Sequence, residues 1–142
     1  MPSSPTRQAM ILRPSDIPAR ERGGGARTIP LVTRATGATS FINGITEFDP
    51  GAAIAFHSHN CEESVMLLSG EAVAEIDGVD HPLHAGDMTF IPPGVPHRFR
   101  NLSATEGMRI LWIYGSIDAT RTIVATGETG AIDAEHRAPV AG

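Results

Sequence analysis

Two neighbouring stretches decide how this chain is read. The first is Gly51-Ala-Ala-Ile-Ala-Phe-His57-Ser-His59-Asn-Cys-Glu-Glu63, continuing to Gly70. The second is Gly86-Asp-Met-Thr-Phe-Ile-Pro92-Pro-Gly94-Val-Pro-His97-Arg-Phe-Arg-Asn101. Successive side chains of a β-strand point to opposite faces, so His57 and His59 share one face. Glu63 opens the next strand after a tight turn and can return to the same point in space. His97 follows the rigid Pro92-Pro93-Gly94 turn and can approach from another strand. Three imidazoles and a carboxylate suit a borderline divalent metal, and a six-coordinate ion would keep two positions open for chemistry. His57, His59, Glu63 and His97 are the expected ligands of one metal inside a small β-barrel.

Outward from this centre, short β-prone runs alternate with turn signals. The runs are 39–48, 52–59, 63–68, 71–77, 80–84, 88–91, 96–100 and 108–114. Between them sit Asp49-Pro50-Gly51, Ser69-Gly70, Asp77-Gly78, Ala85-Gly86-Asp87 and Pro92-Pro93-Gly94. Short strands so punctuated, with no amphipathic helix, predict an antiparallel all-β sandwich or barrel. Asp77-Gly78 between alternating runs predicts a tight hairpin. Thr28–Thr33 reads as an edge strand, because Pro30 cannot donate a ladder hydrogen bond. Residues 1–27, with four prolines and Gly23-Gly24-Gly25, read as a loosely ordered arm. Within that arm Met10-Ile11-Leu12 is a patch able to dock on the domain or a neighbouring subunit. The expected layout is thus an arm (1–27), a barrel domain (28–114) and an extension (115–142). Ile117, Ile123, Val124 and Ile132 would pin the extension to the barrel or to a partner.

At 142 residues the chain is long enough for one domain with a real core, and 41% apolar with 19% charged residues is ordinary globular composition. A net charge of −5 argues against a nucleic-acid surface, which needs a clustered positive field. Lysine is absent; all 11 basic residues are arginines. The single cysteine, Cys61, excludes an intramolecular disulfide framework. No apolar run approaches the roughly 18–20 residues of a membrane helix. The start of the chain lacks the apolar stretch of a secretory signal, so cytoplasmic residence is expected.

The two stretches resemble the paired cupin motifs, G-x5-H-x-H-x3,4-E-x6-G and G-x5-P-x-G-x2-H-x3-N. Gly51, His57, His59, Glu63 and Gly70 match the first. Gly86, Pro92, Gly94, His97 and Asn101 match the second. The resemblance implies a cupin double-stranded β-helix, a jelly-roll-like barrel with extended terminal arms and a metal at the bottom of an open pocket. It implies a homodimer too, since cupin subunits commonly exchange terminal strands, and residues 28–33 are the natural candidate here. The implied cofactor is one divalent ion, iron(II) or manganese(II) first, with nickel, cobalt, copper or zinc also compatible. The implied function is a metal-dependent enzyme acting on a small oxygen-rich molecule, with a dioxygenase of the quercetin-cleaving type as the leading reaction class. The alternatives are a non-oxidative isomerase, lyase or decarboxylase, and a non-enzymatic module that binds a small ligand or senses a metal.

Other residues bear on the pocket. Glu62 should face away from Glu63, and Cys61 lies among the variable motif positions. His81 and His84, three apart, face opposite sides and are expected at the surface, as is His136 in the polar tail. Met108, Ile110, Trp112 and Tyr114 share one face of the last strong strand. Ala55, Phe99 and Trp112 are candidate pocket residues, and Arg109 is a candidate holder of an anionic substrate. The sequence identifies no catalytic acid or base; Glu71 and Glu75 are possible.

Overall fold

The computed structural model describes residues 8–135. Its strands, in chain order, are β1 (Arg20–Gly23), β2 (Ala26–Pro30), β3 (Ile42–Phe48), β4 (His57–His59), β5 (Glu63–Ser69) and β6 (Ala72–Ile76). They continue with β7 (Val79–Leu83), β8 (Met88–Ile91), β9 (His97–Asn101), β10 (Met108–Tyr114), β11 (Thr120–Ile123) and β12 (Thr129–Ala131). Two six-stranded sheets form, ordered β1-β2-β3-β10-β5-β8 and β12-β11-β4-β9-β6-β7, with every pairing antiparallel. The all-β barrel expected from the turn spacing is what forms. His136 lies outside the described residues, as do 1–7 of the arm and 136–142 of the extension.

Alternation fills the interior. On β10, Met108, Ile110, Trp112 and Tyr114 are buried, while Arg109, Leu111 and Ile113 are half-buried on the other face. Phe48, Val65, Leu67, Ile91 and Phe99 join the inward set in one continuous core. Gly44 makes room for the largest member: a Cβ there would lie 2.5 Å from the Trp112 ring. At the far end, Asn101 is buried and its amide donates to the carbonyls of Asp49 (3.1 Å) and Glu106 (2.8 Å), while its oxygen accepts from the Ser103 amide.

The flanks differ from the sequence reading. Residues placed in a loose arm supply β1, because Gly24 and Gly25 take φ of 65° and 84° and close a hairpin onto Ala26. Three consecutive glycines are here a turn, since only glycine occupies the left-handed region without steric cost. β2 is consequently not an edge strand. It lies between β1 and β3, and Pro30 sits past the last residue that β1 pairs. The same pairing places residues 28–30 against β3 of their own chain. The run expected over 52–59 is a strand only at His57–His59; Ala53 makes an isolated bridge to Arg100. Asp77-Gly78 forms the expected two-residue hairpin, with φ of 49° and 82° between Ile76 and Val79.

The outer face of the first sheet carries two rows in register. One is apolar: Ile29, Ile45, Leu111, Met66 and Met88, one residue per strand from β2 to β8. The other alternates in sign: Glu21, Arg27, Glu47 and Arg109.

Candidate metal centre

The four expected residues converge. β4 presents His57 and His59, β9 presents His97 directly opposite His57, and Glu63 opens β5 on the facing sheet. All four are buried. One ring nitrogen from each histidine lies within 4.8 Å of the others. Glu63 closes the group: its Oε1 is 2.9 Å from His97 Nε2, and its Oε2 is 3.3 Å from His59 Nε2. Glu62 points to solvent, as parity predicted.

Backbone carbonyls set the protonation of the rings. His57 Nδ1 is 2.7 Å from the Ala55 carbonyl, His97 Nδ1 is 2.9 Å from that of Val95, and His59 Nδ1 is 2.9 Å from that of Thr120. A carbonyl only accepts, so each Nδ1 carries a proton, and Nε2 is the ring nitrogen left to turn a lone pair inward towards a cation. The ionised Glu63 also only accepts. His59 Nε2, His97 Nε2 and Glu63 Oε1 are indeed buried without a hydrogen-bond partner. Four converging acceptors with no donor repel one another unless a positive charge sits among them. The donor set therefore fits a divalent cation, and three imidazoles with one carboxylate suit a borderline metal.

The electrostatics agree. Burial, with the neighbouring His97 and Arg121, lowers the His57 pKa to about 2, so the ring stays neutral. Burial alone would raise the Glu63 carboxyl; hydrogen bonding and positive charge from the His59 and His97 side outweigh it and hold the group below its ordinary range, the place a bound cation would take over when the rings are neutral. Tyr114 lies behind Glu63 within hydrogen-bonding reach; burial first, then the Glu63 charge, keeps its phenol well above its ordinary range. Its ring packs 4.6 Å from that of His59.

The other candidates separate. Trp112 is buried in the core and donates through Nε1 to Thr46 Oγ1 at 2.9 Å. Phe99 is buried, its ring centroid 6.2 Å from that of His97 in an edge-on arrangement. Ala55 is exposed and serves through its carbonyl, because the chain there is loop and not strand. Arg109 does not reach the interior: it lies on the outer face of β10, paired with Glu47 at 3.1 Å. Glu75 is bonded to Arg98, and Glu71 is exposed. His81 and His84 are at the surface, and Cys61 is half-buried outside the cluster, its thiol raised by burial.

Two interior residues escaped the sequence reading. Arg121 of β11 is buried, paired in register with His59. Thr120 of the same strand supplies the carbonyl that orients His59. The available signal was Thr-Arg-Thr-Ile, a strand-like alternation with arginine on the apolar side.

Two antiparallel sheets closed around a buried three-histidine, one-carboxylate cluster define a small β-barrel protein with a candidate metal centre. The chain belongs to the cupin family: residues 44–114 match the cupin domain. It is 38% identical over 100 residues to SchB of Streptomyces halstedii, covering 70% of this chain and 72% of that one. It is 37% identical over 94 residues to the polyketide synthase CurC of Streptomyces cyaneus, covering 66% of this chain and 60% of the other. Its fold is similar to that of the polyketide cyclase RemF from Streptomyces resistomycificus, with a TM-score of 0.71 at 20% identity over 88% of this chain and 86% of that one. No helix among the described residues is long and apolar enough to cross a membrane.

Proposed function

We propose that the chain is a metal-dependent cupin enzyme that acts on a small, oxygen-rich substrate of the polyketide type, without consuming dioxygen. One observation carries the metal: three Nδ1 protons committed to backbone carbonyls leave three Nε2 lone pairs and a carboxylate facing one point. His57, His59, His97 and Glu63 would hold the ion, iron(II) or manganese(II) before nickel, cobalt, copper or zinc. When bound, such an ion supplies Lewis-acid polarisation of a substrate carbonyl or hydroxyl oxygen. The protein's own part is to hold the rings in one tautomer, to keep Glu63 ionised, and to fix that carboxylate through Tyr114. The buried walls of Phe99, Trp112 and Tyr114 exclude water beside the cluster.

The substrate class rests on the relative named as a polyketide synthase. Poly-β-carbonyl chains cyclise through enolates, which need carbonyl polarisation and no oxidant. A dioxygenase of the quercetin-cleaving type uses the same ligand set and differs in its demand for oxygen. Elemental analysis of the purified protein, with turnover of a β-polyketone measured with and without air, tests the reading. One metal per chain, loss of metal and turnover in His57→Ala, and unchanged anaerobic turnover are expected. Full metal in His57→Ala would overturn the ligand assignment, and arrest without oxygen would favour the dioxygenase.

A further inference from the structure

Segments outside the motifs place arginines on inward faces of the two sheets, half-buried at Arg20 and Arg22 and buried at Arg121. Arg20 on β1 pairs with Thr28 on β2, and Thr28 with Thr46 on β3, so Arg20 shares their inward face. The β1–β2 register shifts between Glu21 and Gly23, an irregularity that re-aims the residue it contains. That residue is Arg22, whose Nη1 donates to Thr28 Oγ1 at 3.3 Å. Thr28 and Thr46 are both buried and share a hydrogen bond of 3.1 Å, and Thr46 accepts from Trp112 at 2.9 Å. The Trp112 ring lies 5.1 Å from Tyr114, and Tyr114 lies 4.6 Å from His59. A continuous polar and aromatic track thus leads from Arg22 to the metal cluster. From the opposite sheet, Arg121 pairs in register with His59 and is 7% exposed. Residues paired in register point to the same side of a sheet, so Arg121 faces the interior beside His59.

Guanidinium groups remain charged at any physiological pH and form charge-assisted bonds to oxyanions that strengthen where water is scarce. We propose that Arg20 and Arg22 of β1, with Arg121 of β11, form a cationic wall that selects a substrate carrying a carboxylate beside its dicarbonyl unit, with Arg22 the specificity-determining residue. Arg22 is half-buried, whereas Thr28 and Thr46 behind it are buried. This inference rests on the proposed function for the dicarbonyl part and on the arginines of β1 and β11 for the anion preference.

The test compares acetoacetate with methyl acetoacetate, which share a 1,3-dicarbonyl and differ in charge. Binding of each is measured by calorimetry to the full chain, both loaded with manganese and metal-free. The wild type should prefer acetoacetate by about tenfold, the worth of one charge-assisted bond. Arg22→Gln should bring the two probes to parity with unchanged metal content and melting temperature, while Arg22→Lys should retain part of the preference. Equal affinities in the wild type, an undiminished preference in Arg22→Gln, or binding of neither probe would overturn the wall. Failure to take up manganese would count against the metal reading instead, and the metal-free comparison would still judge the arginines.

Discussion

At His57, His59 and His97 the choice of tautomer is made by the main chain, at 2.7–2.9 Å, and not by other side chains. Substitution of neighbouring side chains should therefore leave ligand orientation alone, whereas a change in Glu63 should not. Glu63→Gln replaces one acceptor with an amide that donates to the Nε2 lone pairs. We expect it to weaken metal binding at least about tenfold, read by competition with a chelator. The same pair predicts an acid limit for the metal-free protein. His57 is depressed to about 2 from 6.5, and Glu63 lies below its ordinary value. In both cases the unfolded chain binds the proton first, so stability falls as pH drops through 6.5 and again through about 4.5. Melting curves between pH 7.5 and 4 should show it, and a flat profile would contradict the neutral assignment of His57. The ligands were legible in the sequence because strand parity and turn chemistry operate over a few residues. Arg22 and Arg121 were not, because their inward facing depends on a register irregularity and on which strand the tail pairs with.

Strands between turns with a strong chemical signature came out close to their expected limits. Asp77-Gly78 and Ala85-Gly86-Asp87 bound β7, and Pro92-Pro93-Gly94 ends β8 and opens the loop to β9. The expectation over 52–59 failed because Ala-Ile-Ala-Phe has the composition of a strand but makes only an isolated bridge at Ala53 and a single backbone bond at Phe56, too few for a ladder. The Gly23-Gly24-Gly25 run was ambiguous for a different reason: glycine serves a flexible arm and a tight hairpin equally, and pairing decides. Asn101 belongs to this scale too. It matches a family position yet touches no ligand; it ties the ends of β3 and β10 to β9 through three carbonyls and one amide. Asn101→Ala leaves buried carbonyls unpaired and should cost about 1–3 kcal/mol in denaturant unfolding. Its effect on metal content in the folded protein should be small.

The molecule as a whole divides its labour between inside and outside. The outer apolar row of the first sheet runs from nearly buried Ile29 and Ile45 to Met88, 51% exposed, with Phe90 two residues along the same strand 63% exposed. A partly covered apolar strip beside charges of alternating sign suits a two-fold contact, in which each sign meets its opposite. We propose that the homodimer forms on this face. Met88→Glu with Phe90→Glu should shift sedimentation to the monomer without loss of metal; a wild type that sediments as a monomer would remove the proposal. Inside, the division is by segment. All four metal-facing groups come from the strands matched to the family, 44–114, and all three arginines of the cationic wall come from the flanks. The Thr120 carbonyl crosses this division, a main-chain group that orients His59 from the flank. A chimera carrying this chain's 44–114 between another member's flanks should keep the ion and adopt the other member's appetite for charge.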